Sequence, residues 1–236
     1  MNQGRLYLIP NVIAEGTHRS VITPQVYAVL PTIRYFLVED IRNARRFLSN
    51  LKIYESIEAL NFQLLNKDST IESLPALFAP VLQGENIGII SEAGSPGVAD
   101  PGAMAAIYAH ENSIQVVPLV GPSSLLMALM ASGLNGQHFA FHGYLPIPKK
   151  ETGRAIKTFE QESRNKNQTQ IFIETPYRNN HLLKLLLSNL ENDTLLSVAL
   201  DITGPGETIK TLPVSKWKTL NLELPKAPAV FLFLSI

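Results

Sequence analysis

Cysteine is absent from this chain of 236 residues. Its absence excludes disulfide bonds, thiolate metal centres and catalysis by a thiol. A chain without cysteine suits a reducing compartment, and we expect the protein to be cytoplasmic.

An excess of charge of either sign is also lacking, because 20 Lys and Arg residues balance 20 Asp and Glu residues. This balance disfavours binding to polyanions through overall charge, although it leaves room for a local basic patch. The longest apolar run, residues 119–134, is interrupted by Gly121, Pro122 and serines, so we expect no membrane span. The N-terminus lacks a basic start followed by a long apolar run, and we expect no signal peptide.

Several motifs of catalysis and ligand binding are missing as well. Without G-x-G-x-x-G or G-K-[ST], the usual phosphate-binding loops are excluded. Without H-E-x-x-H or G-x-S-x-G, a zinc hydrolase and a serine nucleophile have no support. The five histidines are scattered, so we predict no metal site, and only His142, beside Gly143, stays a candidate site residue.

The main positive signal is the alternation of strand-like and helix-like stretches. In the first half, apolar runs at 6–9, 35–38 and 87–91 alternate with helical patterns, which predicts a parallel sheet. In the second half, runs at 195–200 and 207–212 are separated by a Gly/Pro turn, which predicts a hairpin. We therefore predict the α/β class, with two α/β domains, residues 1–118 and 119–236.

Two loops rich in glycine and proline follow neighbouring predicted strands. The first, 92–99, ends where Asp100 and Pro101 are placed to start a helix. The second, Gly121-Pro122-Ser123, opens another helix. Because ligands of open α/β sheets bind at the carboxyl ends of strands, we predict a small-molecule site here. Ser123 and Ser124 are predicted to cap that second helix or to bind a ligand carboxylate.

Two acidic residues, Glu39 and Asp40, follow the predicted strand at 35–38. Acidic residues favour the first turn of a helix, and residues 43–51 have a helical pattern. The same residues are also placed to hold a ligand or a proton beside the predicted crevice. The sequence leaves both interpretations open.

Three stretches carry separate expectations. The pattern predicts one helix over residues 73–83, a polar basic loop over 148–153 and a helix over 154–164. Residues 57–65 fit a strand or a helix equally well.

Five short motifs, spread over nearly the whole chain, resemble the signatures of one enzyme family in the same order. They are Glu39-Asp40-Ile41-Arg42 (E-D-T-R), Ser91-Glu92-Ala93-Gly94-Ser95-Pro96 with Ala99-Asp100-Pro101-Gly102 (S-D-A-G-T-P and D-P-G), Val117-Pro118-Leu119-Val120-Gly121-Pro122-Ser123 (V-P-L-P-G-P-S), Phe141-His142-Gly143-Tyr144-Leu145-Pro146 (F-x-G-F-L-P) and Glu174-Thr175-Pro176-Tyr177-Arg178 (E-S-x-H-R). The combination resembles the tetrapyrrole-methylase superfamily of S-adenosylmethionine-dependent methyltransferases. Within it, the chain is similar to the bacterial branch that methylates the 2′-hydroxyl of a cytidine ribose in small-subunit ribosomal RNA.

This resemblance implies two α/β domains, S-adenosylmethionine bound in the interdomain cleft, and a homodimer. It implies a cofactor site formed by Pro10, Glu92, Ala93, Gly94, Ser95, Pro96, Gly121, Pro122, Ser123 and Ser124. A ribose hydroxyl must lose its proton during transfer, so a carboxylate is expected near the cleft. Candidates for catalysis are Glu39, Asp40 and Glu174, with Arg42 and Arg178 as clamps for phosphate or carboxylate.

The chain departs from the family pattern in two further loops. The family's T-P-I-G-N stands here as Asn11-Val12-Ile13-Ala14-Glu15, and its R-E-L-T-K as Leu200-Asp201-Ile202-Thr203-Gly204. Both basic residues of the second motif are lost, while Lys149, Lys150 and Arg154 keep a small basic segment. Three functions therefore stay open: methylation of ribosomal RNA, methylation of a small molecule such as a tetrapyrrole precursor, and cofactor binding without catalysis.

Overall fold

The chain forms two compact α/β units that divide between Ser123 and Ser124. A computed structural model describes residues 3–220 and 222–235. The predicted domain boundary, between residues 118 and 119, lies in the loop just before this division.

The first unit is built on a five-stranded sheet in the order β3-β2-β4-β1-β5, and every pairing in it is parallel, as predicted. Two single 3-10 turns, Leu30–Thr32 and Ile71–Ser73, lie between its longer elements. The strands are β1 (Leu6–Ile9), β2 (Ile33–Val38), β3 (Asn61–Leu64), β4 (Asn86–Ile90) and β5 (Val116–Pro118). The helices are α1 (His18–Val21), α2 (Pro24–Val29), α3 (Ile41–Leu51), α4 (Leu74–Leu77), α5 (Ala79–Leu82) and α6 (Gly102–Glu111).

Apolar side chains cover this sheet on both faces. In β2, Phe36 and Val38 belong to one core cluster together with α3, whereas Leu37 belongs to a second cluster with Phe78 and α6. Alternate residues of a strand point to opposite faces, so both faces of β2 are buried. Ligands therefore reach this sheet at the ends of its strands and not on its faces.

The second unit contains a mixed sheet in the order β6-β7-β10-β8-β9. Only β6 and β7 are parallel to each other, and β8 and β9 form the predicted antiparallel hairpin. Phe172, Phe231 and Phe233 are fully buried in its core. The elements are α7 (Ser124–Ser132), β6 (Phe139–Phe141), α8 (Lys149–Lys166), β7 (Thr169–Glu174), α9 (Asn179–Asn189), β8 (Leu195–Leu200), β9 (Thr208–Pro213), α10 (Val214–Trp217) and β10 (Ala229–Leu234).

The prediction of a loop over residues 148–153 is wrong, because α8 already begins at Lys149. Gly153 suggested a break in the chain, yet it is where α9 packs closely against α8. A Cβ at this position would lie 3.1 Å from Asn189 Oδ1. The glycine thus allows two helices to approach each other.

The single helix predicted over residues 73–83 is also wrong. Pro75 and Pro80 each stand at the start of a short helix, α4 and α5, and a proline without an N–H interrupts a longer one. Residues 57–65, which fitted either a strand or a helix, contain the strand β3.

Candidate active site

The ends of β1 and β4 lie side by side at the point where the chain reverses its direction across the sheet. From β1 the chain crosses to β2 on one side, and from β4 it crosses to β5 on the other. Such a switch point opens a crevice outside the carboxyl ends of the strands, where α/β proteins bind ligands. The loops after β1, β4 and β5 therefore define the candidate site.

Asn11 joins the loop after β1 to the loop after β4. Its backbone N–H donates to the carbonyl oxygen of Gly94 at 2.8 Å, and the two residues form an isolated antiparallel bridge. Its side-chain Nδ2 donates to the carbonyl oxygens of Ser91 and Glu92 at 2.9 and 3.1 Å. Oδ1 in turn accepts from the N–H of Val12 at 2.8 Å. Asn11 is only 4% exposed, so these bonds are shielded from water and hold the loops in place.

The loop after β5 is held against both of the others. Ser95 Oγ donates to the carbonyl oxygen of Pro122 at 3.1 Å. Gly121 packs on Pro10, since a Cβ at position 121 would lie 2.1 Å from the proline Cβ. Gly94 has a φ of +68°, a conformation that glycine adopts without the steric cost of a side chain. The three loops thus form one connected surface in the first unit.

Two acidic side chains lie at the ends of β2 and β4. Asp100 Oδ1 accepts from the N–H groups of Gly97 and Gly102, both at 2.7 Å, while its Oδ2 is buried without a partner among the described residues. Burial raises the pKa of Asp100. The pKa of Glu39 is also raised, mainly by burial and further by the charge of Asp100. Both residues line a narrow gap beside the strand ends.

The helix start predicted at Asp100 and Pro101 lies one residue too early, because Pro101 is the N-cap residue and α6 begins at Gly102, whose N–H donates to Asp100 Oδ1. Asp40 caps α3, because its Oδ1 accepts from the N–H of Asn43 at 2.8 Å. The helix-start interpretation of Asp40 is therefore confirmed. Arg42, on the first turn of α3, is exposed.

Helix α3 and the loop after β1 line an open pocket of about 220 Å³. Glu92 reaches its edge, where Glu92 Oε1 accepts from Asn43 Nδ2 at 3.2 Å. The lining is largely polar and includes His18, Asn50 and Phe47.

Known proteins resemble this chain in sequence and in fold. No protein-family profile matches the chain. A protein named ribosomal RNA small subunit methyltransferase I from Escherichia coli O157:H7 is 32% identical over 215 residues, which cover 91% of this chain and 71% of that protein. The protein of the same name from Vibrio cholerae is 29% identical over 211 residues, covering 89% and 69%. This chain belongs to the ribosomal RNA small subunit methyltransferase I family.

Membership of the methyltransferase I family makes the chain a methyltransferase, as the motifs implied. Solved structures of two further methyltransferases share its fold. The uroporphyrin-III-C-methyltransferase from Thermus thermophilus matches with a TM-score of 0.57 at 19% identity, over 98% of this chain and 92% of that chain. The methyltransferase CobJ matches with a TM-score of 0.60 at 15% identity, over 99% and 100%. The predicted fold, two α/β domains of the tetrapyrrole-methylase type, is thereby confirmed.

The site residues that the methyltransferase I motifs indicated fall into both units. Those at the strand ends of the first unit are Pro10, Glu39, Asp40, Glu92, Ala93, Gly94, Ser95, Pro96, Gly121, Pro122 and Ser123. Ser124 opens α7 in the second unit.

Glu174 and Arg178 form an ion pair in the second unit. Arg178 Nη2 lies 3.0 Å from Glu174 Oε2, and the glutamate side chain is completely buried. Glu174 Oε1 accepts from the Thr175 N–H at 2.7 Å. The pair fixes the segment between β7 and α9, which carries the exposed Tyr177.

His142, the remaining histidine candidate, packs inside the second unit. Its ring stacks on Phe159 with the ring centroids 3.8 Å apart. Nε2 lies 2.6 Å from the Oε1 of Gln170, whose amide nitrogen donates to the Gln168 carbonyl. These contacts give His142 a structural role.

The departures from the methyltransferase I motifs have local explanations. Glu15 pairs with Arg46 at 3.5 Å, so its charge is balanced. Leu200 is buried in the core of the second unit. Gly204 stands in a turn where a Cβ would lie 2.3 Å from Asp201 Oδ1, so the Asp201 carboxylate would have to shift to admit a side chain at this position.

Two important residues were missed or only partly understood in the sequence. Asn11 was noted only as the first residue of the segment that departs from the family's T-P-I-G-N, and its place two residues after a buried strand was the signal for a role in the site. Asp100 was assigned only a helix-capping role, and its second oxygen, buried and unpartnered, has no sequence signature.

In the part of the chain that the structure covers, no cluster of three or more His, Asp or Glu side chains is arranged to hold a metal ion. No helix among these residues combines the length and apolar character needed to cross a bilayer.

Proposed function

We propose that this chain transfers a methyl group from S-adenosylmethionine to the 2′-hydroxyl of a ribose in small-subunit ribosomal RNA. The observation that carries the proposal is the connected surface of three loops at the strand ends, in a member of the methyltransferase I family: Asn11 joins two of the loops, and Ser95 bonds to the third. The names of its relatives support the choice of ribosomal RNA as substrate.

The chemistry of the first-unit loops fits this cofactor. S-adenosylmethionine carries no phosphate group, so it needs none of the phosphate-binding loops that the sequence lacks. When bound, it supplies an electrophilic methyl group on a positively charged sulfonium. The unpartnered Oδ2 of Asp100 and the nearby Glu39 carboxyl favour a cation in their surroundings. Pro10, residues 92–96 and residues 121–124 are the proposed cofactor-binding residues.

The proposed roles of the charged side chains follow from their contacts. Glu39 is the proposed proton acceptor. Its pKa is raised towards neutral pH, and a carboxylate with a higher pKa is a stronger base. Asp40 caps α3 and thereby positions Glu39 beside it. Arg42 is exposed and is the proposed phosphate clamp, and the Arg178–Glu174 pair holds its segment in place.

The test is a transfer assay with unmodified ribosomal substrate. The protein is incubated with methyl-labelled S-adenosylmethionine and small ribosomal subunits from cells that lack the gene, and ribose methylation is mapped. We expect label at one ribose 2′-oxygen. Cofactor binding without transfer to the subunits would refute the RNA proposal and favour a small-molecule substrate or a cofactor-binding protein without catalysis.

The proposed cofactor site has its own test in Gly94→Val. A valine at this position is strained, because the backbone has a φ of +68°. Its Cβ would also lie 3.4 Å from the Pro122 carbonyl oxygen. We expect loss of cofactor binding in titration calorimetry. Gly133→Val is the control, since its φ is +71° but nothing lies within 4 Å of a Cβ there. Unchanged binding by the Gly94 variant would place the cofactor elsewhere.

We further propose that the protein is a homodimer that acts in the cytoplasm, where its proposed ribosomal substrate is found. Light scattering on the purified protein tests the first point: a monomeric mass at assay concentrations would contradict it. Fractionation of cells expressing the tagged protein tests the second.

A further inference from the structure

The second unit contains a strongly basic groove that the proposed transfer chemistry does not use. It is a shallow, open depression of about 470 Å³ between α8 and α9. Its cationic walls are Lys149, Lys150, Arg154 and Lys157 of α8, and α9 contributes Leu185 and Asn189. Among the lining residues there is no acidic side chain.

The four cations are exposed, and none has a carboxylate within 4.0 Å among the described residues. This concentration stands out in a chain whose charges balance at 20 of each sign. Their mutual repulsion is unfavourable in the free protein. An anionic partner with several charges would relieve that repulsion.

The helix geometry orders these charges along one side. Lys150, Arg154 and Lys157 follow at intervals of four and three residues, which places them on one face of α8. From Lys150 to Lys157 the helix rises by about 10 Å. The row is therefore extended and suits a chain of anionic groups better than a single small anion.

The groove is fixed to the F-H-G-Y-L-P segment, residues 141–146. Thr152 Oγ1 donates to the carbonyl oxygen of Pro146 at 2.6 Å and to that of Pro148 at 3.1 Å. Thr152 is only 1% exposed, so the attachment is protected from water. The first turn of α8 therefore holds its lysines in a defined position relative to this segment.

We propose that the groove between α8 and α9 binds the phosphodiester backbone of the RNA substrate through Lys150, Arg154 and Lys157. This inference rests on the proposed function, because it assigns a binding surface to the proposed ribosomal RNA. Phosphate contacts position a nucleic acid without reading its sequence. The groove thus orients the RNA, while the reaction itself takes place elsewhere in the molecule.

The test compares two variants with the same change in charge. The groove variant is Lys150→Gln/Arg154→Gln/Lys157→Gln, and the control is Lys210→Gln/Lys216→Gln/Lys218→Gln, three exposed lysines of the same unit outside the groove. Binding to unmodified small-subunit RNA made by transcription is measured by filter retention at several salt concentrations. Each lost phosphate contact lowers the slope of log affinity against log salt by about 0.7 for single strands, so we expect a decrease of about 2.

We expect the groove variant to bind S-adenosylmethionine as the unsubstituted protein does, to bind RNA more weakly, and to show a raised KM for RNA with kcat nearly unchanged. The control should keep the full salt slope. An unchanged slope in the groove variant, with transfer to RNA intact, would overturn the groove alone. If the unsubstituted protein binds the cofactor but no RNA, both the groove and the RNA substrate are refuted. If the groove is needed instead for binding vesicles of phosphatidylcholine and phosphatidylserine, its partner is a membrane surface and the proposal fails.

Discussion

The backbone N–H of Asn11 donates to the carbonyl oxygen of Gly94 at 2.8 Å, although the two residues belong to loops after different strands. The Asn11 side chain adds bonds to Ser91 and Glu92 from the same position. One residue therefore fixes the relative position of two loops that form the proposed cofactor site.

Replacing this side chain tests its role in the site. Asn11→Ala removes the Nδ2 donor and leaves two shielded carbonyl oxygens without it, so we expect the free energy of unfolding to fall by about 1–3 kcal/mol. Because the loops lose their connection, the affinity for S-adenosylmethionine should fall too. Urea unfolding and titration calorimetry measure the two effects.

The matched control for this prediction is Asn112→Ala. Asn112 Nδ2 also donates to a backbone carbonyl, that of Tyr108 at 2.9 Å, but it is exposed and remote from the loops. Its loss should leave cofactor affinity unchanged. Equal effects of both substitutions on affinity would remove Asn11 from the site.

A second prediction concerns the close approach of Gly121 and Pro10. Gly121→Ala would place a methyl group 2.1 Å from the Cβ of a buried proline, so the loop after β5 must move. Overpacking of this kind costs about 1–3 kcal/mol, and we expect a similar loss of stability together with weaker cofactor binding. Gly136→Ala is the control, because nothing lies within 4 Å of a Cβ at that position. If Gly121→Ala is as stable as that control, the contact is not tight in solution.

The sequence predicted the elements of the fold well wherever local periodicity decides them. The strands β1 and β8 have the predicted bounds, and the hairpin of β8 and β9 was recognised from its turn. Gly153 shows the limit of local patterns. A glycine in a polar stretch predicts a loop, whereas here it is the contact point of two helices distant in sequence.

The same limit applies to the candidate site. The Gly/Pro loops were recognisable because turn residues follow buried strands. The bond between Asn11 Nδ2 and the Ser91 carbonyl, however, joins residues 80 positions apart, and no spacing within a motif encodes it. The unpartnered oxygen of Asp100 likewise depends on what surrounds it in space.

A third prediction follows from the raised pKa of Asp100, which burial causes. The folded state holds this proton more tightly than the unfolded state. The free energy of unfolding should therefore fall as the pH rises from the unfolded-state pKa through the higher folded-state pKa. Asp100→Asn keeps an oxygen for the N–H groups of Gly97 and Gly102 and removes the charge.

In Asp100→Asn, we expect the free energy of unfolding to fall less as the pH rises to neutral. We also expect weaker binding of S-adenosylmethionine, since the variant lacks a negative charge near the proposed sulfonium. Urea unfolding between pH 4 and neutral, as a difference between variant and unsubstituted protein, gives the first effect. A variant that is less stable by the same amount at every pH would show that the carboxyl is not titrating in this range.

The last prediction concerns the ion pair of Glu174 and Arg178 in the second unit. Glu174 is fully buried, so Arg178→Gln leaves its carboxylate without its cation, and we expect a loss of about 3 kcal/mol in urea unfolding. The exposed pair of Lys166 and Glu162, at 3.2 Å, is the control, and Lys166→Gln should cost no more than about 0.5 kcal/mol. The double variant Glu174→Gln/Arg178→Gln removes both charges and should recover much of the loss. If Arg178→Gln costs no more than Lys166→Gln while methyl transfer is abolished, Arg178 acts on the substrate and does not stabilise its segment.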